Sequence, residues 1–342
     1  MRGRARLAMI AGRLLQAIPS IAGVIIVTFV LTRALPGDPA AYFAGPTADE
    51  QSIAEVRKAL GLDRSLPEQF VLYLGDLAQG DLGRSVSTGQ PVGAELLRRL
   101  PASLELTLLA LFLSLGVALP LGILAATRPN SWIDHLCRVV VTAGVSLPVF
   151  FTGLFLVYVF YFLLGIAPSP LGRIDVFFLE PPDITGFFTI DSLLAGDLET
   201  FWASLTQLIL PAITLGIFTL APLARMTRGA MLAVLSSDFI RTARASGLSR
   251  PTVLFAYGLR NAMLPILTTL GMVFSFMLGS NVLVEKVFAW PGIGSFAIEA
   301  LIVSDYAAVQ GFVLAMALLY VALNLIIDIL YTVVDPRIGL EA

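Results

Sequence analysis

Six stretches of this chain meet or approach the length of a bilayer span and carry no charged side chain. They are residues 14–32, 106–127, 139–172, 200–224, 261–284 and 306–327. A hydrocarbon core of ~30 Å takes roughly 20 helical residues to cross. No water is available there, so each backbone amide must be bonded inside its own helix or in a closed barrel. Uninterrupted apolar runs of this length select helices. The sequence therefore predicts an all-α, polytopic membrane protein with about six transmembrane helices. The third run is longer than one span, and its tail "IAPSPLG" has loop residues, so this helix is expected to leave the membrane near Leu164.

Composition agrees. Of 342 residues 57% are hydrophobic and 13% charged, against roughly 25% charged in soluble domains. The net charge of −2 offers no basic field for nucleic acid. A single cysteine, Cys137, excludes an internal disulfide and reads as a small buried hydrophobe.

Charge placement sets a topology. Arg2, Arg4, Arg6 and Arg13 precede the first run with no acid among them. That run is longer than a signal-peptide core and reads as an uncleaved first helix, with the N-terminus in the cytoplasm. Alternation then puts the "RPNSWIDHLCR" loop inside and residues 166–199 outside. The latter hold Asp175, Glu180, Asp183, Asp191, Asp197 and Glu199 against Arg173 alone. The stretch "SDFIRTARASGLSRPTVLFAYGLRNAMLP" falls inside with Arg241, Arg244, Arg250 and Arg260, and so does the tail with Arg337.

The outer segment after the first helix reads as folded. Thr47 is placed to cap a helix with Ile53, Val56 and Leu60 on one face and Gly61 as its stop; Phe70, Leu74 and Leu77 mark a second helix. "GAELLRRLP" reads as a separate amphipathic helix lying at the interface. In the basic insert, Ser237 can cap a helix that Gly247 ends, and Ser249 can cap another with Pro251 in its first turn. The result is a helix–Gly–helix elbow leading into the fifth run.

Chemistry is sparse. His135 has no neighbouring ligands for a metal, and no phosphate-binding G-x-x-x-x-G-K-[ST] loop or nucleophile–base pair is present. No cofactor is expected. Glu105, Arg225 and Asp328 lie near span ends, which disfavours an ion-coupled carrier and an intramembrane hydrolase. Ser114, Thr142, Ser146, Gln207, Ser275, Asn281 and Asn324 read as interhelical hydrogen-bonding groups, or as the lining of a weakly polar path. Pro120, Pro148 and Pro211 can bend their helices.

The insert "RTARASGLSRPTVLFAYGLRNAMLP" resembles the cytoplasmic EAA loop of the integral-membrane permeases of binding-protein-dependent ABC importers. Thr242, Ala243 and Gly247 match its first half, and Leu264 and Pro265 its second. Thr242 replaces the glutamate that names the motif, Arg244 replaces its second alanine, and the distance from Gly247 to Leu264 is longer than usual. These departures resemble the dipeptide, oligopeptide and nickel branch, as do "ALPGDP", "GDLGRS", "SLELTLLAL", "VEKVFAWPGIG" with a later "DY", and "DILYTVVDPRI".

The resemblance implies a type I importer fold, no catalytic site in this chain, and a set of partners. These are a second homologous permease forming a heterodimer, two cytoplasmic ABC ATPases and an extracytoplasmic solute-binding protein. It implies the bacterial inner membrane, with both termini cytoplasmic. Asp238, Arg241, Thr242, Ala243, Arg244, Gly247, Leu264 and Pro265 are then the ATPase-coupling residues, and Trp290, Pro291 and Gly292 a candidate outer gate or docking turn. The expected divisions are a cytoplasmic N-terminus (1–13), a first span (14–33) and a periplasmic segment (34–101). A permease core follows (102–335), with an outer insertion (166–203) and a coupling loop (228–262), and then a cytoplasmic tail (336–342). Short peptides are the expected solute; nickel or another small solute is the alternative within the family.

Overall fold

The computed structural model describes residues 2–34, 38–45 and 47–334. Part of "ALPGDP", the tail with Arg337, and the side chains of Arg2, Arg4, Arg6 and Arg13 lie outside the described residues. Among the described residues there is no strand, only the isolated bridge between Arg84 and Pro91. The chain divides into two units. One holds Leu14–Ser103 and Pro291–Val321; the other holds Leu104–Trp290 with the described parts of Met1–Arg13 and Ala322–Ala342.

Five helical stretches are long and apolar enough to cross a membrane: Leu15–Ala34, Val92–Thr127, Leu198–Leu235, Thr252–Val287 and Tyr306–Tyr331. The remaining run is broken. Helix α6 (Trp132–Ser146) stops before Pro148 because Leu147 is extended, with φ −116° and ψ 141°. A residue that precedes proline is pushed out of the helical region by the ring. Helix α7 (Val149–Leu156) then restarts and passes into a π-helical segment, Val157–Leu163. The exit beside Leu164 is where the loop residues of "IAPSPLG" put it. The expected six spans are thus five single helices and one assembled from shorter pieces.

In the first unit, the apolar end of α1 (Arg2–Ala34) is followed by α2 (Pro39–Ala44), α3 (Glu50–Ala59) and α4 (Leu66–Ala78). The cap of α3 is Asp49, whose side chain accepts from Ser52 N at 2.8 Å, and not Thr47. Phe29 of α1 meets Phe70 edge-on at 5.0 Å and stacks on Tyr73 at 5.9 Å, while Leu74 stays 39% exposed. The inward face of α4 therefore runs through Tyr73 instead of Leu74.

"GAELLRRLP" is not a separate surface helix. It is the start of α5 (Val92–Thr127), which continues through Pro101 without a break. Val92 and Leu96 are buried with Ile293, Phe296 and Ala300 of α12 (Ile293–Ile302) and with Ala308 of α13 (Tyr306–Val334). Glu95, 5% exposed, pairs with Arg98 at 3.2 Å and Arg99 at 2.8 Å. The apolar face thus packs on protein, and its two arginines are neutralised within the helix.

Two of the quoted motifs meet in this unit. Asp305 is fully buried; one of its carboxylate oxygens accepts from Ser85 Oγ and Val86 N, both at 2.7 Å. Its other oxygen accepts from Ala308 N at 3.1 Å. The "GDLGRS" turn is therefore clasped to the first turn of α13.

The second unit is built around α9 (Leu198–Leu235), 38 residues and ~57 Å long at 1.5 Å per residue. It packs against α11 (Arg260–Val287), α6, α7 and α8 (Phe188–Leu194). Helix α5 approaches so closely that a Cβ on Gly122 would sit 2.7 Å from Thr227 Cβ. Small residues at such contacts let helices gain van der Waals packing where lipid removes the hydrophobic drive. Most of the span hydroxyls bond within their own helices: Thr142, Ser146 and Ser275 donate to the carbonyls of Arg138, Thr142 and Gly271. Gln207 reaches the Ser169 carbonyl at 2.6 Å, and Asn281 reaches Thr107 Oγ1 at 3.4 Å. The expected interhelical network is therefore mainly local back-bonding, because a helical Ser or Thr finds the carbonyl four residues back at no cost in packing.

Candidate functional site: the elbow after α9

Helix α9 ends at Leu235, and the chain turns directly into α10 (Asp238–Ala245). Ser237 has the extended conformation of a cap, but its hydroxyl donates to the Val234 carbonyl at 2.6 Å. It ties α10 to the end of α9 and leaves the new helix's amides alone. Asp238 supplies a negative charge to the first turn of α10, where the helix dipole favours it.

The other end closes as a Schellman motif. Gly247 has φ +77°; its amide donates to the Arg244 carbonyl at 3.1 Å, and Leu248 N donates to the Ala243 carbonyl at 3.4 Å. A side chain at that φ costs roughly 1–2 kcal/mol, which explains the glycine. Ser249 Oγ then accepts from Thr252 N at 3.4 Å, and a π-helical segment, Thr252–Leu259, runs straight into α11.

Burial divides α10 into two faces. Ile240 and Ala243 are buried with Val253, against Val234 and Leu235. On the other side Asp238 and Arg241 are 96% and 79% exposed and form a loose pair at 3.4 Å. Thr242 and Arg244 are also exposed. Of the residues singled out by sequence, Asp238, Arg241, Thr242, Arg244 and Gly247 therefore share one open surface. Ala243 anchors that surface from behind.

Leu264 and Pro265 are not part of this surface. They lie inside α11, beyond the whole π-helical segment Thr252–Leu259. Two further exposed apolar residues were not singled out from the sequence: Phe239, 46% exposed on α10, and Leu248, 38% exposed at the turn. With Ile240 and Ala243 inward, helical geometry puts Phe239 at the edge of the buried face.

The second candidate, the "AWPGIG" turn, is packed. Trp290 is 1% exposed, and its amide donates to the Glu285 carbonyl at 2.8 Å. Such a buried indole presents no docking surface of its own. Pro291 is exposed, and Gly292 caps α12, whose Ile293 N donates to Ser103 Oγ at 2.9 Å.

Trp290 lies beside a polar cluster absent from the sequence reading. Arg173 is 8% exposed; its Nη2 donates to Glu105 Oε2 at 2.6 Å and to the Gly186 carbonyl at 2.7 Å. Its guanidinium sits 3.7 Å from the centre of the Phe188 ring and 6.0 Å from that of Trp290. The other Glu105 oxygen accepts from Thr189 N and Oγ1 at 2.9 and 2.6 Å. Asp191 accepts from Thr185 N and Oγ1 and from Gly186 N. Burial alone would raise the Asp191 pKa, but these donors hold it below its ordinary value. The lone base of an acid-rich loop was the available signal. Its partner, Glu105, is 68 residues away.

A second buried pair joins α6 to α9. Asp134, fully buried, accepts from Arg228 Nε at 2.5 Å and Nη2 at 2.9 Å, and from Asn130 N at 2.9 Å. Among the described residues no three His, Cys, Asp or Glu side chains converge as metal ligands would.

The comparisons cover nearly the whole chain. Residues 118–340 match the family model for the binding-protein-dependent transport system inner membrane component, and residues 6–107 match that for the N-terminal part of such membrane components. The chain is 45% identical over 319 residues to a probable D,D-dipeptide transport system permease protein of Escherichia coli, covering 93% of this chain and 94% of the relative. It is 44% identical over 334 residues to a di/tripeptide transport system permease protein of Pseudomonas aeruginosa, with 97% and 98% covered. A dipeptide transport system permease protein of E. coli is 39% identical over 339 residues, with the same coverage. With matches at this identity and coverage, the chain belongs to the family of inner membrane components of binding-protein-dependent transport systems.

Proposed function

We propose that this chain is the membrane subunit of an ATP-driven importer of short peptides, and that the elbow Asp238–Gly247 is where partner ATPases drive it. The observation that carries this reading is the open face of α10. Asp238, Arg241, Thr242 and Arg244, with the apolar Phe239, stand exposed on a short helix between two long apolar ones. A charged surface with an exposed apolar side chain at its edge suits a protein partner. Gly247 gives the return turn, and the continuous helix from Thr252 to Val287 can carry a push on the elbow along its length. The peptide solute follows from relatives named for dipeptide and di/tripeptide transport.

In this reading both termini are cytoplasmic, residues 34–101 and 166–203 face the periplasm, and residues 228–262 form the coupling loop. The pathway is shared with a second, different permease, and a solute-binding protein delivers the peptide from outside. Leu264 and Pro265 act within α11 as the first bend above the elbow, since Pro265 lacks the amide that the Asn261 carbonyl would accept. Trp290, Pro291 and Gly292 form the turn into α12 and move with the outer gate. The first experiment is purification of the chain from native membranes with its partners identified. A second permease and two P-loop ATPase chains are expected. The chain arriving alone, from a preparation in which other membrane complexes survive, would refute the importer reading.

A further inference from the structure

Helix α9 carries two arginines one turn apart, and the fold treats them differently. Arg228 is matched by buried Asp134. Arg225 is exposed and has neither an ion pair nor a hydrogen bond with any described residue. It borders a cavity of about 270 Å³ between α9 and α11, walled by Phe218, Pro222, Met272, Val273 and Phe276, with Thr269 beside it. Phe218 and Phe276 stack at 5.5 Å in its wall, and the space is an open groove, with Met272 70% and Phe276 62% exposed. Between Glu199 and Asp238 the chain has no acid, so α9 offers Arg225 no counter-charge of its own.

Arg225 directly follows an apolar run of 25 residues (200–224), and a cation drawn into hydrocarbon is costly unless it faces water or an opposite charge. An apolar side chain seated in the groove would displace water beside the guanidinium and so strengthen its attraction for an anion. The cavity lies somewhat below the ~300 Å³ at which sites for drug-sized ligands begin. It has room for one side chain with a charged end. A planar guanidinium prefers a carboxylate, which it can bind through two parallel hydrogen bonds.

We infer that Arg225 and the Phe218–Phe276 cavity form a subsite for the C-terminal residue of a peptide, with the guanidinium on its free α-carboxylate. The inference rests on the peptide-importer reading and deepens it. A free carboxylate is shared by short peptides of every sequence, so such a contact selects for peptide ends without selecting side chains.

The test uses the assembled complex in nanodiscs without nucleotide, and two photoreactive probes: the dipeptide Ala–photoleucine and its C-terminal amide. Labelled segments of α9 and α11 are mapped by mass spectrometry. The free acid is expected to label residues 218–225 and 269–276 at least about tenfold more than the amide. Arg225→Gln brings the ratio close to one, and Arg225→Lys, which keeps the charge but not the two parallel bonds, retains only part of it. Equal labelling by acid and amide, an acid preference that survives Arg225→Gln, or no labelling of these segments would overturn the inference. So would a preference seen in phosphatidylcholine discs but abolished by phosphatidylglycerol, which would make a lipid headgroup the occupant. ATP-dependent uptake of the same dipeptide into proteoliposomes separates the two readings. Uptake without acid-selective labelling sinks only the subsite, whereas absence of uptake sinks the importer reading as well.

Discussion

Replacing Asp134 by asparagine removes the charge from a site built for it. The carboxylate is fully buried at the start of α6 and receives two hydrogen bonds from Arg228 and one from Asn130 N, with Arg138 at 3.6 Å. Hydrogen bonding from Arg228 holds the Asp134 pKa down to about 2, from an ordinary 3.8, although burial works the other way. That displacement corresponds to about 2.5 kcal/mol favouring the ionised form in the fold. For a unit of roughly 200 residues this lowers the unfolding midpoint by about 5–10 °C. Cys137 supplies the assay: it is the single cysteine, lies one turn along the same helix and is 1% exposed. Its modification by a thiol-reactive coumarin during a thermal ramp, quantified by peptide mass spectrometry, reports the opening of α6.

The pH dependence has a definite sign. The folded pKa lies below the unfolded one, so the stabilisation is complete above about pH 4 and is lost as pH falls through about 2. The gap between the parent chain and Asp134→Asn should therefore be constant from pH 8 to about 5 and shrink below about 4. Arg228→Gln should cost a similar amount, and the double variant little more than either single one. Additive losses, or an Asp134→Asn midpoint within about 1 °C of the parent, would refute the claim that this pair fastens α6 to α9.

Three other perturbations have equally specific outcomes. Gly247→Val meets no atom within 4 Å of its new Cβ, so its strain, about 1–2 kcal/mol, is confined to the backbone. The variant should insert and assemble but lose ATP-dependent uptake in proteoliposomes, and full uptake would remove the elbow from the coupling route. Arg173→Ala leaves Glu105 buried without its cation and should destabilise by about 3–5 kcal/mol. Arg173→Met with Glu105→Leu should recover much of that, read as thermal midpoints in detergent. Asp305→Ala strands the donors of Ser85, Val86 and Ala308, and should speed proteolysis between residues 79 and 92 by about tenfold or more; an unchanged cleavage rate would show that the turn is held by other contacts.

The amino-acid sequence by itself determined the all-α membrane class, because apolar runs of this length leave the backbone no other way to satisfy itself. It also located the elbow, since a polar helix ended by glycine between two apolar runs is a local pattern. Gly247 adopts the left-handed turn expected of it, and the residue after Leu163 ends the third run. The break at Pro148 was written locally too, although only as a capacity to bend.

Everything that depended on distant partners was decided by the tertiary structure. "GAELLRRLP" is part of a long helix because Val92 and Leu96 find α12 and α13, some 200 residues away in sequence, while Glu95 neutralises its two arginines. Arg173 and Glu105 are unremarkable apart and a buried pair together. Arg225 and Arg228 look alike in the sequence, and only the packing of α6 gives one of them an aspartate. Periodicity and end signals act over a few residues, but the cost of burying a charge depends on what the fold places beside it.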